Sequence, residues 1–180
     1  MRKSESVYIK VATADDAWGV QEVLYQAWLA TYPNVEHGVS VEDIEDRFSN
    51  RHEPERIARR AQMLTQPDEG VTRLIAKDGS LVVGVCIVRQ ADDHNELQVL
   101  YILPSCHRRG IGGRLWKEGL NHLNLNQYTL VKVAIYNFGA IEFYRQLGFE
   151  HTGKRVSDPR FRLKSGVIIP ELEMRLGAPQ

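Results

Sequence analysis

The chain has 180 residues, 43% of them apolar and 26% charged, with 23 lysines and arginines against 23 aspartates and glutamates. That length supports one domain with its own core, and a net charge of zero excludes the global basic field of a nucleic-acid or membrane-surface binder. Two lone cysteines (Cys86 in an apolar run, Cys106 in a loop) make no disulfide framework. The start "MRKSESVYIK" has no apolar core, and no run approaches the roughly 18–20 residues of a membrane span, so a cytoplasmic protein is expected.

Ser6–Ala12 reads as a first strand. Thr13, with Asp16 three residues on, begins a helix as a capping pair. Val20, Val23, Leu24, Ala27, Trp28 and Thr31 then recur on one helical face until Pro33 stops it. A short acidic helix over Ser40–Phe48 and a basic helix over Glu53–Gln66 follow. The pattern then changes to strands. Two β-type runs are separated at Asp78-Gly79, a hairpin signal, and Glu96–Leu103 is the next strand, closed by Pro104. A helix opens in "HRRGIGGRLW" (His107–Trp116) and runs to about Leu125, and Tyr128–Tyr136 is a strand. "NFGAIEFYRQLG" is a helix capped by Asn137 and stopped by Gly148. "FEHTGKR" and "VIIPELEMRL" are the last two strands. The order β-α-α-α-β-β-β-α-β-α-β-β puts hairpins first and one helical crossover between the fourth and fifth strands. It predicts an α/β (α+β) domain with a single mixed, mostly antiparallel sheet flanked by helices.

Gly110, Gly112 and Gly113 stand where a strand gives way to a helix, directly after Arg108 and Arg109. A helix N-terminus leaves backbone N–H groups unpaired and partly positive, and glycine lets a bulky anion approach them, so this loop is a candidate phosphate cradle. A plain helix start that needs positive φ is the simpler reading of the same residues. The ATP/GTP loop needs Gly-Lys-Ser/Thr, and here Arg114 and Leu115 follow the glycines. The dinucleotide fingerprint needs a third spaced glycine and an acid about 20 residues on, where the chain has the apolar "LVKVAIY". Both fail.

The block downstream decides. Together, "LYILPSCHRRGIGGRLW" and "VAIYNFGAIEFYRQLGF" resemble the GNAT superfamily of N-acetyltransferases. The loop matches the family's Q/R-x-x-G-x-G/A segment through Gly110 and Gly112. The later block matches N-x-x-A-x-x-F-Y-x-x-x-G-F through Asn137, Ala140, Phe143, Tyr144, Gly148 and Phe149. The resemblance implies the GNAT fold over residues 1–180 and acetyl-CoA as donor. It implies a pyrophosphate seat on Arg108, Arg109, Gly110, Ile111, Gly112 and Gly113, and a pantetheine path beside Tyr101, Ile102 and Leu103. Asn137 would border the thiol end. His107 stands where the family has Gln or Arg, a departure that leaves the backbone contacts intact and adds pH dependence near neutrality.

Acetyl transfer to an amine sets two proton tasks. An alkylamine near pKa 10.4 must lose a proton before it attacks, and a departing thiolate near 8.5 is helped by a donor. Tyr144 matches the family tyrosine that serves as donor; an amphipathic core aromatic is the plainer account of it. Glu96, eleven positions before His107, resembles the glutamate base of some members, and strand alternation puts it on one face with Gln98, Leu100 and Ile102. A solvated strand-end carboxylate is the other reading of Glu96, and Asp92, Asp93 and His94 are weaker substitutes. Backbone N–H groups near Ile102 could polarise the thioester carbonyl. Trp28 and Tyr32 either wall an acceptor pocket or pack the core. The acids of Glu42–Asp46 suggest a small cationic acceptor, a polyamine first, with a protein lysine or N-terminus as the alternative. The rival class is a catalytically silent acyl-CoA-binding module. No HExxH or zinc spacing occurs among the six histidines, so no metal is expected. A homodimer is compatible with the resemblance.

Overall fold

In the computed structural model, which describes residues 7–177, seven strands form one sheet in the order β1-β2-β3-β4-β5-β7-β6. The strands are β1 (Tyr8–Val11), β2 (Val71–Asp78), β3 (Leu81–Gln90), β4 (Asn95–Ile102), β5 (Thr129–Ala134), β6 (Glu150–Val156) and β7 (Glu171–Leu176). The helices are α1 (Ala17–Thr31), α2 (Val41–Arg47), α3 (Pro54–Thr65), α4 (Ile111–Leu120) and α5 (Phe138–Gln146). Every pairing is antiparallel except β4 with β5. The sheet is mixed and mostly antiparallel, as the element order implied. Among the described residues no helix is long and apolar enough to cross a membrane.

Local chemistry sets most boundaries. Asp78 pairs with Leu81, so Gly79 and Ser80 form the hairpin turn, with Gly79 at φ 60. Ser40 and Asp43 exchange capping hydrogen bonds at the start of α2. Pro54 occupies the first turn of α3, and Asn137 Oδ1 accepts the Ala140 N–H at 3.1 Å to cap α5. Helix α4 stops at Leu120, short of Leu125. Buried Asn95 captures the chain beyond it, its Nδ2 donating to the Asn124 carbonyl at 2.8 Å and its Oδ1 accepting the Asn124 N–H at 3.2 Å. Strand β7 begins only after Pro170, which has no N–H for a ladder and whose carbonyl accepts the Ile135 N–H at 3.0 Å.

One apolar core joins the sheet to α1, α3, α4 and α5 through residues such as Val23, Leu74, Cys86, Leu115 and Phe149. A Cβ at Gly84 would lie 2.9 Å from Leu115, so the missing side chain lets α4 lie close on β3. A second cluster gathers Trp28, Tyr32, Ile44, Phe48, Ala134, Leu163 and Ile169 under α2.

Asp16, almost fully buried, ties β1, α1 and β2 together. Its carboxylate accepts from Lys10 at 2.7 Å, Lys77 at 3.1 Å, and the Thr13 N–H and hydroxyl at 2.9 and 2.8 Å. Burial alone would raise this carboxyl, but Lys10, Thr13 and Lys77 more than offset it and hold it well below the usual carboxylate range. Asp16→Asn is expected to cost about 3 kcal/mol, on the order of 10 °C in Tm, by leaving the lysines uncompensated. Because the folded carboxyl binds its proton more weakly than the unfolded one, the stabilisation is full above about pH 4 and is lost as pH falls. Thermal melts of both proteins at neutral and acid pH check this; equal melting at neutral pH would remove Asp16 from the account.

Candidate active site

Strands β4 and β5 pair over only three positions, Asn95 with Thr129, Glu96 with Leu130 and Leu97 with Val131. The split has a local cause. On the β3 side, Val88 faces Leu97 and Ile87 faces Val99, so Gln98 is an extra residue, a bulge that bends β4 where its pairing with β5 ends. Beyond it the two strands diverge and open a cleft of about 1060 Å³, walled by Val99–Ile102, by Lys132–Ala134, and by the N-terminal turns of α4 and α5.

At the floor of this cleft lies the glycine loop. Arg108 has φ 60, rare for a residue with a side chain, and Gly110 has φ 74. The hand therefore alternates across 108–110, an arrangement that turns successive N–H groups to one side. No described carbonyl takes the N–H groups from Arg108 to Gly113; the first one bonded is Arg114 N–H, to the Gly110 carbonyl at 3.1 Å. Helix α4 has no side-chain cap and no acid in its first turn. These unused donors fit a pyrophosphate, and the cleft continues from them along β4.

The remaining site residues divide clearly. Tyr101, Ile102, His107, Arg108, Gly110, Ile111, Gly112, Gly113, Asn137, Tyr144 and Tyr32 all line the cleft. Leu103 is buried behind it, with its N–H spent on the Val83 carbonyl at 2.9 Å. The Arg109 side chain turns away, donating to Asp78 at 2.8 Å, so only its backbone faces the loop. His107, the departure from the family pattern, uses Nε2 to bond the Ile102 carbonyl at 3.0 Å and so braces the turn out of β4. Trp28 is not part of the wall. It lies behind Tyr32 in the second core, with ring centres 4.6 Å apart.

Glu96 is also absent from the wall, because the bulge at Gln98 breaks the alternation that would have aimed it there. Its carboxylate accepts from Gln98 Nε2 at 2.7 Å and has Arg89 and His94 at 3.7 and 3.5 Å. Sequence reasoning passed over Lys132, Phe138 and Phe143 in the wall; the last two stand inside the motif itself, which was the available signal. Among the described residues no group of three or more His, Cys, Asp or Glu could hold a metal.

Tyr144 reaches the cleft from α5 and its ring is buried, with Phe143 and Phe149 at 5.5 and 5.7 Å. Its hydroxyl has no hydrogen-bond partner among the described residues, and burial pushes the phenol well above its ordinary value. Tyr32 and Tyr101 meet hydroxyl to hydroxyl at 2.6 Å, and Tyr136 donates to the Tyr32 carbonyl at 3.0 Å. Burial also pushes Cys86 up to about 12, which makes it inert.

A strand–loop–helix anion cradle that opens into the cleft of a splayed sheet defines a binding site for an extended, phosphate-bearing ligand. The family model for the acetyltransferase (GNAT) family matches residues 24–149, and the chain belongs to that family. It is thus an N-acetyltransferase with acetyl-CoA as donor. Among solved structures, the PaiA N-acetyltransferase of Thermoplasma acidophilum, in complex with coenzyme A, is 20% identical. It aligns over 96% of this chain and 99% of its own with a TM-score of 0.70. The ribosomal-protein-S18-alanine N-acetyltransferase of Escherichia coli is 16% identical over 97% of this chain and 96% of its own, with a TM-score of 0.63. At these identities the likeness is one of fold.

Proposed function

We propose that this chain is a single catalytic domain that transfers an acetyl group from acetyl-CoA to a primary amine of a small acceptor, by direct attack with both substrates bound. The observation that carries the reading is Tyr144, a buried ring in the cleft wall whose hydroxyl has no partner among the described residues. Acetyl-CoA supplies an activated thioester; the C–S bond breaks as the amine forms the C–N bond. The N–H groups of residues 108–113 bind the pyrophosphate, and Arg108, which makes no ion pair among the described residues, adds the local positive charge. Ile102 and Asn137 border the reacting end, and Tyr144 gives its proton to the sulfur.

Taking a proton from the amine is the second task. Glu96 would serve it only by relay through Gln98 and solvent, since its carboxylate stands behind that amide. The sequence-based reason for a polyamine weakens here, because among the described residues no Asp or Glu lines the cleft.

Calorimetry is expected to show acetyl-CoA binding well below about 1 mM. A thiol-release screen across amino acids, polyamines, aminoglycosides and peptides then gives turnover with a small amine. No binding would sink the donor assignment. Binding without release for any amine would leave a silent acyl-CoA module, and release with peptides alone would favour a protein amine.

A further inference from the structure

Behind the Tyr32, Tyr101 and Ala134 part of the cleft wall, and outside the lining itself, stand two opposite charges that no described residue pairs. Three carboxylates of α2 are engaged elsewhere: Asp43 accepts the Ser165 N–H at 2.9 Å, Glu45 the Tyr25 hydroxyl at 2.7 Å and Asp46 Lys164 at 2.9 Å. The charge that α2 turns inward is Arg47, which shares its face with buried Ile44 and Phe48. Its guanidinium lies 4.6 Å from the Trp28 ring centre and 5.6 Å from that of Phe161. Half-buried, it has no carboxylate within 4.0 Å among the described residues. Burial and the nearby Arg56 guanidinium both disfavour its charge, and Tyr101 and Tyr32 partly restore it.

Glu171 opens β7 directly opposite Ala134, a cleft residue, and so faces the side of the sheet where Trp28 and Tyr32 pack. Its Oε2 is buried without a hydrogen-bond partner. Burial raises this carboxyl, Lys132 opposes the rise and Asp158 adds to it. Both charges act on one hydroxyl. Tyr101 is pushed up to about 12, chiefly by burial; the Tyr32 hydrogen bond opposes the rise, Glu171 adds to it and Arg47 opposes it. Tyr32, bonded to Tyr101, is close enough to feel both Glu171 and Tyr144.

Desolvated charges without partners are costly, and here two of opposite sign flank a tyrosine pair without joining each other. We propose that Arg47 and Glu171 are the two ends of an acceptor subsite for a primary amine that also carries a carboxylate, an amino acid in the broad sense. The Arg47 fork receives the carboxylate and Glu171 receives the ammonium. The nitrogen then lies by the Tyr32–Tyr101 hydroxyls, on the side of Tyr144. A polyamine would instead bring a second cation toward Arg47. The inference rests on the acetyltransferase reading above.

The test uses matched acceptors: an amino acid, its amide, its decarboxylated amine and a diamine. The acid is expected to exceed each of the others by at least about 10-fold in kcat/KM, the scale of one charge-assisted hydrogen bond. Calorimetric titration of acid and amide into the CoA-loaded protein is expected to show the same preference. In R47Q the acid-to-amide ratio falls to within about 3-fold of unity, while R47K keeps part of it. E171Q lowers kcat/KM for acid and amide together by about 10-fold or more and leaves their ratio in place, since both carry the ammonium. Acetyl-CoA affinity serves as the folding check for each variant, and if R47Q does not fold, the wild-type ratio and R47K decide. Amides or diamines matching the acid in the wild type, or an R47Q ratio equal to wild type, overturn the inference and leave the acetyltransferase reading intact. No thiol release with any amine, in protein that binds acetyl-CoA, overturns that reading instead.

Discussion

Tyr144→Phe is expected to lower kcat by about 10²- to 10⁴-fold, the range for loss of a positioned general acid, while acetyl-CoA affinity stays within about 3-fold. The substitution is nearly free of structural cost. The ring sits against Phe143 and Phe149 and fills the same space in the variant. Its hydroxyl leaves no orphaned partner among the described residues, so stability should change by less than about 1 kcal/mol. The pH dependence separates a donor from a packing residue. An ordinary phenol titrates near 10, and burial raises this one further, so the proton stays on oxygen throughout roughly pH 6–9. The deficit should therefore persist across that window in stopped thiol-release assays. Equal rates for variant and wild type at every pH in it would remove Tyr144 from the proton-donor role.

What the sequence made legible was local. Caps at Ser40 and Asn137, the proline at the start of α3 and the hairpin glycine are each written within four residues, and each falls where the chain turns. The glycine loop and the Asn137–Phe149 block were readable for the same reason: a helix start and a helix face are short-range objects. What stayed hidden depends on partners distant in the chain. The bulge at Gln98 exists only in register with Ile87 and Val88, and it removes Glu96 from the cleft wall. Arg109 is drawn away by Asp78, 31 positions earlier, and α4 is cut short by Asn95, 29 positions before Asn124. The acidic run in α2 shows the same dependence on facing. A count of charges ignores which side chain faces inward, and the spacing of Ile44, Arg47 and Phe48 puts the one cation on the buried face. Glu171 gave no local signal, since only its pairing with Ala134 places it beside the cleft.

Gly112→Asp is expected to weaken acetyl-CoA binding by about 10²- to 10⁴-fold in a protein that remains folded. Residue 112 lies in the first turn of α4, where an acid is favourable to the helix dipole by about 0.3–1 kcal/mol. A Cβ there would meet Phe143 Cζ at 3.4 Å and Ile102 Cγ1 at 3.8 Å, ordinary contacts that a short side chain satisfies. The same carboxylate takes up the N–H groups of residues 108–113 and opposes the pyrophosphate they would otherwise receive. Each such charge-assisted bond is worth about 1.5–3 kcal/mol, so losing two accounts for the expected drop. Gly112→Ala is the control, because it adds the same Cβ without the charge and should keep affinity within about 3-fold. Calorimetry and thermal melts on the two variants separate the contributions. If the aspartate variant bound acetyl-CoA as tightly as the alanine variant, the phosphates would have to lie elsewhere, and the free N–H groups would be only the start of a helix.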